Sequence, residues 1–221
     1  QVNDSKESPP EIFFTRQDLG LPKEGFVFCC FNNTYKITPT TFDSWARILK
    51  NVKGSVLLIF AKDKSTKENL TKEITLRGVD SKRLIFGDRL ARPEYLARYR
   101  VADLFLDTCP YNAGTTASDA LRMGLPVLTL KGNSYPSRMA ASIVNAVNLS
   151  ELITTSYEEY ESLAIELAMN PKKLNTIKDK LVANLSKAPL YNTPLFTRNL
   201  ESAYTMMYER YQNGIGPDHI Y

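Results

Sequence analysis

Five short apolar runs that do not alternate with polar residues constrain this chain more than any other feature. They are FVFCCF (26–31), SVLLIF (55–60), RLIF (83–86), DLFLD (103–107) and PVLTL (126–130). A strand with one wet face alternates, whereas a continuous run suits a strand covered on both faces. Helical spans separate the runs. TPTTFDSWARILKNV places Thr38 as a cap and Pro39 in the first turn, with Phe42, Trp45, Ala46, Leu49 and Val52 on one face. KSTKENLTKEITLRG predicts a polar helix ending at Gly78, and Pro93–Val101 a short one. Thr115–Met123 reads as a helix with Gly124 just past its end, and SRMAASIVNAV as a helix of small residues. ELI (151–153) predicts a last short strand. From Ser156 the pattern is helical only: Tyr157, Tyr160, Leu163, Ala164 and Leu167 space one helix, Pro171 opens a second, and Leu195–Tyr211 forms a third. The expected class is α/β, a parallel sheet with helices on both faces and a C-terminal helical tail.

The charge balance narrows the partners. Lys and Arg number 28 against 24 Asp and Glu, interspersed, and no basic run tracks a nucleic acid. No apolar stretch approaches the roughly 20 residues of a membrane span. Three cysteines, two of them adjacent in the first run, give neither a disulfide framework nor a metal spacing and read as buried free thiols. Those features predict a cytoplasmic protein. Residues 1–18 are polar and proline-containing and read as a linker or boundary segment of a longer protein, with Phe13 and Phe14 packing on the surface of the domain it enters.

Chemistry must then come from strand ends, because the familiar phosphate loops are missing: there is no G-x-G-x-x-G and no G-x-x-x-x-G-K-[ST]. The single histidine, His219, lies in the tail and cannot supply a hydrolase triad or a zinc site alone. FNNTYKITP after the first run carries Asn32, Asn33 and Lys36; GDRLARPEYLARYR after the third carries Arg89, Arg92, Tyr95, Arg98 and Arg100. CPYNAGTTASD after the fourth carries Gly114, where a ligand can approach the backbone, and Thr115 and Thr116, whose first-turn amides suit a phosphate. Asp119, one turn on, can accept from sugar hydroxyls or favour the helix start electrostatically. Parallel strands open all three loops on one edge, and a lysine, an amide nest, an aromatic ring and a carboxylate there suit a nucleoside diphosphate.

FVFCCFNNTYKITPTTFDSWARILKNV, SRMAAS, PLYNT and PDHIY closely resemble the C-terminal catalytic half of O-linked N-acetylglucosamine transferases, the SPINDLY-like proteins with tetratricopeptide repeats. The resemblance runs from about Leu19 to the last residue. It implies an inverting glycosyltransferase of the GT-B type, built of two Rossmann-like halves, that uses no metal ion or other cofactor. Residues 19–155 would be the Rossmann-like nucleotide-sugar-binding domain and 156–221 a helical extension packed on it. A UDP-sugar would be the donor, with N-acetylglucosamine the expected sugar, and Ser/Thr of proteins the acceptor, engaged through the missing N-terminal half. The repeats are expected upstream, and the fragment alone is expected to be inactive.

Residue by residue, Lys36 matches the lysine that stabilises the departing diphosphate, Thr115 and Thr116 the helix-start pair on phosphate oxygens, and Asp119 the acid on the ribose. Arg92 stands where the resembling family has a lysine near the nucleoside, and Tyr95 where a histidine stacks on uracil. Arg98 matches an arginine of the same helix. Asn33 replaces a glutamine beside the phosphates and Gly114 a histidine before the two threonines. Two alternatives stand beside this reading: a nucleotide-sugar epimerase of the same architecture, and a UDP-sugar-binding module without catalysis.

Overall fold

A computed structural model describes residues 3–220. The apolar runs form one parallel sheet. Its strands are β1 (Val27–Cys30), β2 (Val56–Phe60), β3 (Leu84–Gly87), β4 (Leu104–Leu106), β5 (Val127–Leu130) and β6 (Ile153–Thr154), in the spatial order β3-β2-β1-β4-β5-β6. Phe28 pairs with Leu104 and Cys29 with Phe105, so β1 and β4 are neighbours although β2 and β3 intervene in the sequence. There the chain reverses its direction of winding, which opens a crevice at the strands' carboxyl ends. All four residues of β1 are buried, as the lack of alternation predicts for a strand covered on both faces. Cys29 and Cys30 are buried free thiols, and Cys109 is a half-buried one.

Helices α1 (Pro39–Asn51), α2 (Lys64–Leu76), α3 (Arg92–Ala97), α4 (Thr115–Arg122) and α5 (Met139–Ala146) connect the strands. Thr38 caps α1 by accepting from the Thr41 amide, and the face carrying Phe42, Trp45 and Leu49 is buried. The predicted Pro93–Val101 helix is shorter than expected. It is α-helical only over α3 and tightens to a 3-10 turn at Arg98–Val101, which pairs terminal carbonyls before the chain turns directly into β4. The ELI strand is displaced: Ser150–Leu152 form a 3-10 turn, and the edge strand is Ile153–Thr154, where pairing with Thr129 and Leu130 becomes possible.

The tail supplies α6 (Tyr157–Met169), α7 (Pro171–Leu185) and α8 (Thr193–Gln212). The Trp45 indole donates to Tyr160 Oη at 3.2 Å, and that hydroxyl donates to the Asp107 carbonyl at 3.0 Å, so α6 reaches the foot of the β4 loop. Arg47 and Glu161 add a forked pair at 2.7 and 2.9 Å. Leu174, Ile177 and Leu181 bury one side of α7, whereas α8 buries none of its residues.

The segment preceding the sheet lies along α3 and α4. Arg100 donates to the carbonyls of Pro10 and Ile12, and Arg122 to those of Asp4 and Glu7, at 2.7–3.0 Å. Phe13 is largely exposed under the Arg100 guanidinium, and Phe14 lines a small cavity with Leu58, Phe86 and Arg98.

Candidate functional site

Asp107 ends the β4 run and organises the crevice. Its carboxylate is buried and accepts from the amides of Thr108 (2.8 Å) and Ala113 (2.7 Å), the Thr129 hydroxyl (2.7 Å) and Asn32 Nδ2 (3.2 Å). Burial pushes its pKa up to about 6, against the pull of those donors. Asn32 carries the order onward. Its Nδ2 also donates to Thr108 Oγ1 at 2.8 Å, and its Oδ1 accepts from the Thr116 hydroxyl. One buried pair therefore ties the loop after β1 to the loop after β4 and to the start of α4.

Above that pair lies a cavity of about 510 Å³, walled by Asn33 and Lys36 on one side and Gly114, Thr115 and Thr116 on the other. Its size falls within the roughly 300–1,000 Å³ typical of ligand clefts. Lys36 Nζ donates to the Asn112 carbonyl at 3.0 Å and lies 3.8 Å from the centre of the Tyr111 ring. An ammonium has three donors, so this arrangement fixes the charge and leaves N–H groups for a ligand. Opposite it, the first turn of α4 lacks intrahelical acceptors for its amides, and the helix dipole adds positive potential. Cation and amides thus face one space that suits an anion.

A second cavity of about 280 Å³ shares Phe31, Asn33 and Thr116 with the first and is walled by Arg89, Leu90, Tyr95 and Arg98. Arg98 is buried, lies 3.8 Å from the Phe31 ring centre and 4.9 Å from that of Tyr95, and donates to the Asp88 carbonyl at 2.9 Å. Its Nε has no partner among the described residues. Tyr95 and Tyr99 share a hydroxyl hydrogen bond at 2.6 Å, and burial raises both phenols' pKa. The pair of cavities makes an anion pocket leading to an aromatic, cationic one.

Two expected residues sit elsewhere. Arg92 and Asp119 line neither cavity; Arg92 donates to both carboxylate oxygens at 2.7 and 2.8 Å, and Glu7 takes its other edge at 2.8 Å. Helical spacing places Asp119 on the Thr115 face but does not show that an arginine on α3 reaches it first. Hydrogen bonds that Arg92 donates to Asp119 and Glu7 raise its pKa, and Arg92 in turn lowers that of Glu7.

A model of glycosyl transferase family 41 matches residues 2–200. The chain belongs to that family. It is 33% identical over 216 residues to a UDP-N-acetylglucosamine–peptide N-acetylglucosaminyltransferase of Caenorhabditis elegans, covering 97% of this chain and 19% of the relative. Against the probable SEC transferase of Arabidopsis thaliana it is 34% identical, covering 99% and 23% respectively. The chain thus spans about a fifth of the length of these curated relatives. Among solved structures, a mutant O-GlcNAc transferase from Thermobaculum terrenum superposes with a TM-score of 0.80 and 34% identity, over 83% of this chain and 36% of the other. The sheet is that of GT-B glycosyltransferases.

Within this family 41 chain, the crevice brings together Asn33, Lys36, Gly114, Thr115 and Thr116, and adjoins Tyr95 and Arg98. It also includes residues that sequence reasoning did not single out as ligands. Tyr111 stacks on the Lys36 ammonium, and Asn112, buried in the wall, has an Oδ1 without a partner among the described residues. Both lie in the loop already marked by Gly114 and the threonines, and their position there was the available signal. Among the described residues no cluster of His, Cys, Asp and Glu could hold a metal ion, and no helix is long and apolar enough to cross a membrane.

Proposed function

We propose that this chain is the donor half of a longer, inverting transferase that moves a sugar from a UDP-sugar to Ser/Thr of proteins without a metal ion. The observation that carries this reading is Lys36 and the start of α4 facing one cavity, with the aromatic, cationic cavity adjoining it. In displacement at an anomeric carbon, the diphosphate gains negative charge as it departs. A fixed ammonium and helix-start amides are preorganised to stabilise that charge. In this reading the diphosphate lies between Lys36, Thr115 and Thr116, the uracil stacks near Tyr95 and Arg98, and the ribose turns toward α4. Asp119, held by Arg92, then bounds the ribose from behind. Asn33 and Gly114 stand nearest the sugar and phosphates. The acceptor and any proton-accepting group belong largely to the facing half, and tetratricopeptide repeats precede it in a cytoplasmic protein. N-acetylglucosamine-peptide transfer, the activity for which the relatives are named, is the one this predicts for the whole protein.

Calorimetric titration of the chain with UDP, ADP and GDP, each with a chelator present, tests the reading. Tighter binding of UDP is expected. Equal binding of all three, or binding that requires magnesium, would overturn it.

A further inference from the structure

A third cavity, about 590 Å³, lies beside the donor crevice and has no part in holding the donor in the reading above. It sits past the carboxyl end of β5 and beside Ile153 of β6, walled by Lys131, Tyr135, Arg138 and the α5 face carrying Met139, Ser142 and Asn145. Tyr135 and Met139 line both it and the donor cavity, so one space leads into the other. Lys131 and Arg138 are exposed to it, no acidic residue lines the groove, and neither cation has a partner among the described residues.

The groove is also rigidly tied to the donor loop. The Gly132 amide donates to the Ser137 carbonyl at 2.8 Å, Ser134 and Ser137 bridge through backbone and hydroxyl bonds, and the Asn112 amide donates to the Pro136 carbonyl at 3.0 Å. A Cβ on Gly132 would run into the Ser137 side chain, so the loop closes only around glycine there. Asn112 is the residue whose carbonyl receives Lys36. The backbone that carries both cations is therefore fixed relative to the loop that receives Lys36.

We infer that this groove holds an acidic stretch of the acceptor peptide, its carboxylates against Lys131 and Arg138, with the accepting hydroxyl passing Tyr135 toward the donor. The inference rests on the donor reading for its direction of entry. Two unpartnered cations without a nearby acid select carboxylates. The exposed ring of Tyr135 and the Ser142 and Asn145 side chains, three residues apart on one helix face, suit backbone and side chains of an extended peptide better than a bare ion.

The test uses a fluorescent peptide bearing one serine flanked by Asp and Glu, and its Asn/Gln counterpart, read by anisotropy with the chain with and without UDP. The acidic peptide is expected to bind roughly tenfold tighter than the neutral one, the scale of two exposed charge contacts, and Lys131→Glu with Arg138→Glu to remove that advantage. Added salt should weaken the acidic peptide selectively. UDP titration and a thermal melt of the same variant should match wild type; if the double variant does not fold, Arg138→Gln gives the same reading. Equal binding of the two peptides, no binding of either, or a variant that still prefers the acidic one overturns the inference. Loss of UDP specificity with the peptide result intact would instead strike the donor reading.

Discussion

Arg92 donates to both oxygens of Asp119, at 2.7 and 2.8 Å, across two helices that meet at the carboxyl edge of the sheet. The two ends differ in exposure: the Asp119 side chain is 4% exposed and that of Arg92 45%. The arginine thus acts as a lid on a buried charge, and the fork fixes the carboxylate's orientation. Arg92→Ala leaves that charge without its donors and should cost about 1–3 kcal/mol of stability, the scale for an unsatisfied buried group. Glu7→Gln removes the partly exposed pairs to Arg92 and Arg122 and should cost less than about 1 kcal/mol. Urea melts of the two variants provide the comparison. Equal losses would mean that the Arg92–Asp119 fork has no special role.

Asp107 predicts a pH dependence. Its folded pKa of about 6 exceeds the ordinary 3.8 because burial disfavours the charged form. The folded chain therefore binds this proton more tightly than the unfolded one. The resulting stability is fully present below the ordinary value and is lost as pH rises through about 6. Asp107→Asn keeps an oxygen for the Thr108 and Ala113 amides and does not titrate. Wild type should accordingly lose up to about 3 kcal/mol relative to this variant between about pH 4 and pH 7, since the folded and ordinary pKa values lie roughly two pH units apart. Urea melts at both pH values decide it; parallel behaviour of the two proteins would contradict the assignment.

Most of the fold was legible because its signals are local. Continuous apolar runs such as Phe26–Phe31 mark strands covered on both faces, and the Thr38–Pro39 start marks a helix without tertiary information. The candidate site was legible in part. Loops at the ends of parallel strands must converge, so Lys36, Thr115 and Thr116 could be grouped from the sequence alone. Which donor meets which acceptor across 27 residues, as for Arg92 and Asp119, depends on how α3 and α4 sit together and has no sequence period. The same holds for Asn32 with Thr116 and for the joining of the 131–138 loop to Asn112.

Asn32 shows what that hidden order should do. It is 2% exposed and serves both the Asp107 carboxylate and the Thr116 hydroxyl. Asn32→Ala removes these links together with that to Thr108 and should cost about 1–3 kcal/mol of stability, with weaker UDP binding. Asn32→Asp preserves the shape but places a second carboxylate against Asp107 beneath the anion pocket. It should weaken UDP binding more than alanine does, since like charge is added where phosphate would bind. Calorimetry on both variants tests the order, and alanine proving the worse would show that shape outweighs charge there.

Lys36 should act chiefly in the transition state. Its ammonium is already held by the Asn112 carbonyl and the Tyr111 ring, so little reorganisation accompanies charge development. In the full-length enzyme, Lys36→Ala should lower kcat by roughly 10²-fold or more, the scale for one preorganised donor. A variant with normal kcat and only a raised KM for the donor would show that Lys36 merely binds.

Gly114 precedes Thr115 in the cavity wall, at the position where the sequence resemblance implies a histidine. Lacking a side chain, it contributes no imidazole to the diphosphate and leaves room beside it. The absent hydrogen bond to a charged group would be worth about 1.5–3 kcal/mol. Asn33, which lines both cavities, similarly carries a shorter side chain than the glutamine the resemblance implies there. On the proposed donor reading, two shorter residues lining one cavity would leave more room for the sugar, while Lys36 and the α4 start would hold the phosphates. The expected outcome is a donor preference that is not restricted to N-acetylglucosamine, narrowing in Gly114→His. Competition binding of UDP-glucose, UDP-galactose and UDP-N-acetylglucosamine to both proteins measures it. If wild type already prefers N-acetylglucosamine by more than about tenfold, roughly 1.4 kcal/mol, the widened space does not govern sugar choice.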